Sequence, residues 1–380
     1  MTTRRGMLKL VGGGVVLAAA GAGGGFVAAN GPSRAARAPW REAGQETEFR
    51  RRALSYAILA PNPHNRQPWL VRLDGGDALT LFSDLDRQLP ATDPYDRQIV
   101  IGHGAFLELL ALAAAEDGYR ADITLFPEGE DMDTLDARPV AHVRFVAGEA
   151  EPDPLFAHVL ARRSNKEVYE ARDVEAEKLV AMTEAARRFG VTANSIGNTA
   201  MAETLRDLTW RAHLMEVRTP VTNQESVDLM RIGAKEVAAN PDGIELEGPF
   251  IAAGRLLGIV NRKTLADQSS AGFQQGLDMY QPLAMSARGF AWLSNANQTR
   301  ADQIHAGRAY ARMNLTATSL GVSIHPWSQA LQEYREMADL YTEVHELIGE
   351  GQRLQMLVRV GYAKPIMATP RWPMESHLIT

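Results

Sequence analysis

The stretch Ala60-Pro61-Asn62-Pro63-His64-Asn65-Arg66-Gln67-Pro68-Trp69 decides how the rest of the chain is read. It closes an apolar-periodic run, Glu48 to Ala60, that reads as a helix with Thr47 as a candidate N-cap. Pro61 and Pro63 stop that helix, because proline lacks the N–H and its ring clashes with the preceding turn. Two prolines also stiffen the loop before any ligand arrives. Asn65 and Gln67 then offer amides that both donate and accept, suited to the polar edge of a ring. A plain helix stop and turn would use the same prolines.

Downstream, Trp69 to Leu73 and Leu79 to Phe82 read as strands, being Val/Leu/aromatic runs bounded by Gly and Asp. Pro94 to Asp117 is a long apolar-periodic helix closed by Gly118. Ile123 to Phe126 and Val140 to Val146 are further strand candidates, and Pro154 to Ala161 a short helix. Val174 to Phe189 reads as a helix closed by Gly190, and residues 199–290 as a mostly helical stretch with a loop at Asn240-Pro241-Asp242-Gly243. Phe290 to Leu293 is a strand candidate, Arg300 to Leu320 a long helix closed by Gly321, and Leu354 to Tyr362 an apolar strand. Gly104, Leu112, Ala114 and Gly118 recur 203 residues later as Gly307, Leu315, Ala317 and Gly321. Each set lies on a long helix that ends in Gly and leads into a strand, which suggests a duplicated unit.

The 380 residues allow one large domain or two fused half-domains. There is no cysteine, which excludes disulfides, thiolate zinc sites and cysteine nucleophiles. The net charge of −6 conceals an asymmetry: residues 1–37 carry five bases and no acid, so the remainder holds 35 bases against 46 acids. A body that acidic argues against a nucleic-acid partner. The first 37 residues read as a signal peptide and linker. Arg4-Arg5 with Leu8 and Lys9 precede an uncharged Gly/Ala/Val stretch from Leu10 to Ser33, and Val27-Ala28-Ala29 suits signal peptidase. Paired arginines in this setting resemble the twin-arginine type. The expectation is export by the twin-arginine translocase to the periplasm or another extracytoplasmic site. The stretch is also long enough for an uncleaved membrane anchor. That route carries folded proteins, which suits one that takes up a cofactor before export.

The opening motif resembles the Ala-Pro-Ser-x-x-Asn-x-Gln-Pro-Trp signature of the nitroreductase family. Arg162-Arg163-Ser164-Asn165-Lys166 is similar to that family's phosphate-binding segment, and Gly321 to Gln329 sits where the family has its Pro-x-Glu-Gly loop. Gly361-Tyr362-Ala363 and Arg371 resemble its closing strand and terminal basic residue. The likeness covers roughly residues 45–190 and 285–375 and is nearest the Acg-type branch, in which two halves are fused. It implies an α+β fold, with a mixed central sheet flanked by helices in two pseudo-symmetric halves, 38–150 and 151–380, the second carrying the insertion at 199–290. It implies a monomer that mimics the family's homodimer.

The resemblance also implies one FMN. Arg162, Arg163, Ser164, Asn165, Lys166 and Arg371 would hold its phosphate; guanidinium forks suit a dianion. Pro63, His64, Asn65 and Gln67 would meet the ring, with Pro326, Trp327, Ser328 and Gln329 near N5. Ser328 stands where the family has Glu, and Gln329 where it often has Gly. The Asn65 loop has no second copy, so one site is complete and its mirror degenerate. The basic cluster alone would equally be a solvated helix end. No side chain is singled out as catalytic, since the flavin carries the hydride, and no His pair has metal-ligand spacing. The expected activity is electron or hydride transfer to an oxidised small molecule such as a quinone or nitro compound, from a donor the sequence does not identify. The alternatives are a flavin-sequestering protein with a covered site and an electron-transfer partner of a membrane complex. Phe250 to Val260 and Met279-Tyr280-Gln281-Pro282 are candidates to cover the flavin, or simply to pack on the core.

Overall fold

The computed structural model describes residues 31–380. The paired arginines and most of the apolar stretch behind them lie outside the described residues. Helix α1 (Phe49–Ala57) is capped by Glu48, whose carboxylate accepts the N–H groups of Arg50 and Arg51 at 3.2 and 3.0 Å. The cap therefore falls one residue beyond the expected Thr47. A carboxylate that reaches two free N–H groups also meets the positive end of the helix dipole.

The first half builds a five-stranded sheet from β1 (Trp69–Asp74), β2 (Ala78–Ser83), β3 (Tyr119–Leu125), β4 (Ala141–Ala147) and a last strand from the C-terminus. Alternation sorts its faces. Trp69, Val71, Leu79, Leu81 and Val143 are buried on the inner face, while Arg72, Thr80 and His142 pair along the outer one. The inner face packs on α2 (Arg97–Glu116). By length and composition α2 could cross a membrane, but 89% of its apolar window is buried inside the protein. It is a core helix, apolar all round because it is covered all round.

The second half repeats this plan. Helix α3 (Ala176–Ala186) corresponds to α1, and β5 (Thr192–Ile196) to β1. Strands β8 (Phe290–Asn295), β9 (Ser323–Pro326) and β10 (Arg353–Gly361) follow, with α8 (Arg300–Ser319) in the place of α2. The spatial order β5-β8-β10-β9 matches β1-β2-β4-β3 strand for strand. Each half thus has its own sheet. Where the first half turns from β1 to β2 through Gly75-Gly76-Asp77, the second half inserts about ninety residues, 197–289. Between β9 and β10 lies α9 (Ala338–Ile348), an amphipathic helix that the sequence reading passed over, as it did the short polar β5.

The insertion is not wholly helical. Helices α4 (Ala200–Arg218), α5 (Pro220–Asp228), α6 (Pro249–Leu256) and α7 (Ala271–Met285) surround a short parallel pair, β6 (Met230–Ile232) and β7 (Ile244–Leu246). Buried Asp242 draws this pair against the first half, accepting from Arg231 at 2.7 Å and Arg87 at 3.0 Å. The expected helix at 154–161 is a 3-10 run, Pro154–His158.

Polar ties cross between the halves. Glu108 on α2 is buried and accepts from Arg308 and Arg312 on α8, each at 2.8 Å. Arg97, first residue of α2, reaches Glu333 at 2.8 Å and the Gln355 carbonyl at 2.8 Å. Arg300, first residue of α8, reaches the opposite way, to the carbonyls of Asp131 at 2.7 Å and Tyr95 at 2.6 Å. After β10 the chain returns to the first half. Met374 joins the first core, and β11 (Leu378–Ile379) pairs parallel to β1 through Val71 and Leu378.

A candidate cofactor site between the halves

The loop after α1 is held in an uncommon backbone. His64, Asn65 and Gln67 have φ of 46°, 51° and 52°, the left-handed region that side chains disfavour. Three such residues in four persist only where surrounding bonds over-determine them. The Asn62 carboxamide oxygen accepts the Gln67 N–H at 2.7 Å. The Gln67 side-chain amide donates to the Pro241 carbonyl at 2.8 Å and accepts from the Trp372 N–H at 2.9 Å. Asn65 donates to the Pro370 carbonyl at 3.0 Å and accepts from Arg371. Loop, insertion and C-terminal tail are thereby stapled together. This alters the expectation that these amides face a ligand: Gln67 is fully buried, and both of its amide atoms are taken up by the protein.

Behind the loop, three guanidiniums converge. Arg162 donates to the Leu59 carbonyl at 3.1 Å. Arg371 donates to the carbonyls of Ile58, Leu59 and Ala60 at 3.0, 3.1 and 3.0 Å. These carbonyls follow the C-terminus of α1, whose dipole favours cations. Arg163 bonds to the Leu160 and Arg162 carbonyls at 2.8 and 2.7 Å. Trp40 lies beside all three, its ring centre 5.8, 4.7 and 5.5 Å from the guanidinium carbons of Arg162, Arg163 and Arg371. Among the described residues none of the three forms an ion pair with a carboxylate. Burial is the largest influence on each of them. It pulls the pKa of Arg162 down to about 10 and that of Arg371 to about 9, with each other's charge adding to the effect for Arg371. The Nε and Nη1 of Arg162 and the Nε of Arg163 are buried without any partner. Such groups are costly unless an acceptor completes them. This donor set fits an anion with several oxygens.

The rest of the segment runs toward the second sheet. The Asn165 N–H donates to the Ile324 carbonyl at 2.9 Å, and its amide to the Lys364 carbonyl at 2.9 Å. Asn165 is thus a structural tie. Ser164 is half-buried near the Tyr310 hydroxyl, and Lys166 is exposed, with its charge felt by both His64 and His325. His64 approaches Ser226 at 3.4 Å, and burial, with Lys166 and Arg66 adding to it, lowers its pKa to about 4. His325 is buried and accepts from Arg359 through Nδ1 at 3.1 Å, so it is neutral with its proton on Nε2.

Beyond Pro326, the Trp327 N–H donates to the Leu357 carbonyl at 2.8 Å, and Ser328 Oγ makes two bonds to the Leu357 backbone at 2.8 and 3.0 Å. The Ser328 side chain extends the sheet ladder past the end of β9. Trp327 Nε1 and Gln329 Oε1 are buried without partners. Trp327 packs against His213, which stacks on Tyr280 with ring centres 5.1 Å apart. Tyr280, part of the candidate cover, is thus engaged with this cluster, whereas Met279 is exposed. Sequence reasoning missed Trp40, Arg359, His213 and Glu216. Only the Pro39-Trp40 pair, the first aromatic after a long stretch with a single Phe, offered any signal. Among the described residues no His/Asp/Glu group has metal-site geometry. A recess of about 370 Å³ lined by Arg72, Thr80, Phe82 and His142 lies apart, on the outer face of the first sheet.

No family model matches the chain. It is 27% identical over 353 residues to a Mycobacterium tuberculosis (strain H37Rv) protein named "Putative NAD(P)H nitroreductase", covering 87% of this chain and 93% of that one. It is 27% identical over 341 residues to a second M. tuberculosis protein of that name, acg, covering 87% and 95%. An uncharacterized M. tuberculosis protein is 28% identical over 347 residues, covering 86% and 91%. Among solved structures, an FMN-bound nitroreductase from Bacteroides fragilis overlaps 58% of this chain and 95% of its own, at 15% identity and a TM-score of 0.34. The nitroreductase NfnB from Mycobacterium smegmatis, in complex with NADPH, overlaps 57% and 92%, at 17% identity and a TM-score of 0.35.

Proposed function

We propose that this chain, a relative of the Acg-type nitroreductases, holds one FMN between its halves and passes electrons to an oxidised small molecule such as a quinone or nitro compound. One observation carries the reading. Two buried guanidiniums, Arg162 and Arg371, and the half-buried Arg163 meet at one point without an ion-paired carboxylate, and three N–H-bearing atoms of Arg162 and Arg163 lack partners. The free donors are Nε and Nη1 of Arg162 and Nε of Arg163, beside Trp40, while the Arg371 fork already donates to the carbonyls of Ile58, Leu59 and Ala60. A terminal phosphate satisfies both the charge and the missing acceptors. FMN, when bound, would supply the hydride chemistry that no side chain here provides.

The protein's own part is binding and orientation. Arg162, Arg163 and Arg371 take the phosphate end. The strained His64–Gln67 loop forms a rigid wall, with its shape set by Gln67 and Asn62. Neutral His64 and His325, with the charge of Lys166 felt by both, give the far end a proton-poor, weakly positive lining. The relatives' names and the NADPH complex of NfnB make a nicotinamide the first donor to try. Anaerobic NADPH should bleach the flavin, and a quinone should restore it. A protein that binds FMN but reacts with no reductant would be a flavin-holding protein, the alternative reading. Export by the twin-arginine route belongs to the same proposal, on the Arg4-Arg5 motif; changing both arginines to Lys should keep the folded chain inside the cell, and unchanged extracytoplasmic yield would overturn it.

A further inference from the structure

Helix α6 is apolar yet buries none of its residues. At its end Leu256 and Leu257 are 78% and 62% exposed, and Phe250 at its start is 45% exposed. The chain then folds back sharply, with the Ile259 and Val260 N–H groups both donating to the Gly254 carbonyl, so Leu256-Leu257-Gly258 forms an apex. Large adjacent apolar side chains at an apex mark a surface that something covers.

Charge points to what covers it. Residues 249–266 hold three bases, Arg255, Arg262 and Lys263, and no acid, in a protein that is acidic beyond residue 37. Flanking Glu247 is consumed by Arg37 at 2.6 Å and by the Ser33 N–H at 3.0 Å. Flanking Asp267 turns back onto Ser269. Glu236 pairs with Arg262 and also feels the charge of Arg255, and Asp267 feels that of Lys263, but among the described residues neither Arg255 nor Lys263 forms a direct ion pair. A basic, apolar apex fits an anionic lipid surface, whose headgroups take the cations while its acyl chains take the leucines.

The second observation is where the chain enters. Ser33 ends the uncharged stretch that begins at Leu10, and its N–H is bonded to Glu247, two residues before α6. An eight-residue helix is roughly 12 Å long. The root of the membrane-directed segment and the apolar apex therefore share one region of the surface.

We propose that the apex of the insertion, through Phe250, Leu256 and Leu257 with Arg255 and Lys263, inserts into the headgroup region of an anionic membrane. This stands whether or not FMN is bound. The absence of cysteine makes a direct test available. Leu257→Cys in the full-length chain, labelled with an environment-sensitive fluorophore, is mixed with phosphatidylglycerol-containing vesicles or with phosphatidylcholine alone. Arg120→Cys, on the edge strand opposite β11, is the control. The label at 257 should shift to the blue and be quenched by lipid-borne quenchers on anionic vesicles, and the label at 120 should not. Arg255→Glu with Lys263→Glu should lower the bound fraction of that label at least threefold. A label at 257 that stays aqueous on vesicle-bound protein would overturn the proposal. So would a blue shift without lipid that grows with protein concentration, which would assign the apex to self-association.

Discussion

Gly104 and Gly307 face each other where α2 crosses α8. A Cβ on Gly104 would lie 2.1 Å from the Ile304 carbonyl oxygen, and one on Gly307 would lie 1.9 Å from that of Ile101. Each glycine receives the other helix's backbone at the equivalent place, as a local two-fold axis requires. Their 203-residue separation is also that of Arg97 from Arg300 and of Gly118 from Gly321, whose φ values are 78° and 69°.

The first prediction follows from that crossing. Gly104→Ala and Gly307→Ala should each destabilise the protein by about 2 kcal/mol or more, since backbone atoms must separate. Helix propensity alone gives the opposite sign, a gain approaching 1 kcal/mol. Urea unfolding decides between them. The two changes should not add, because either one opens the same contact.

The second concerns flavin discrimination. Arg162→Ala should weaken FMN about tenfold to a hundredfold, the scale of a lost charge-assisted bond, and leave riboflavin nearly unchanged. Asn65→Ala should also penalise FMN more than riboflavin. The sequence alone makes Asn65 a ring contact, which would weaken both flavins equally. In the structure its carboxamide holds Arg371, so it acts as a positioning residue for the phosphate end. Equal losses in the Asn65 variant would favour the ring contact. Fluorescence titration with both flavins reads the result.

The third concerns pH. Glu216 is buried beside Gln332 at 3.0 Å, and burial raises its pKa to about 7. Between about 4.5 and 7 the unfolded chain has already released this proton while the folded one keeps it. Stability therefore falls as pH rises through that window, by up to about 3 kcal/mol from this group at pH 8. Glu216→Gln keeps an acceptor for Gln332 and removes the ionisation. It should be more stable than the parent at pH 8 and close to it at pH 4.5. An equal difference at both pH values in urea titrations would contradict the assignment.

The regular elements were legible because their signals are local. Periodicity and punctuating Gly and Pro place α1, α2, α8 and β10 within a few residues of their observed bounds. The repeat was legible through two glycines that a close crossing demands. The β6/β7 pair was not, because it rests on Asp242 meeting Arg231 and Arg87 across the insertion. The phosphate-site arginines could be named, yet their convergence on Trp40 could not, since it joins residues 40, 162 and 371 through tertiary folding alone. Asn65 and Gln67 were singled out by the motif, but their bonds to Pro370, Arg371, Pro241 and Trp372 were not legible, since amides bond equally well to backbone and only the tail's return shows which groups are near.

The most direct measurement is the amount of FMN bound per chain. Purified protein, stripped of flavin and titrated with FMN, should saturate at one equivalent and turn yellow, because among the described residues only one loop like His64–Gln67 faces an arginine cluster. Saturation at two equivalents would contradict the single-site asymmetry, and no uptake at all would contradict the cofactor assignment itself.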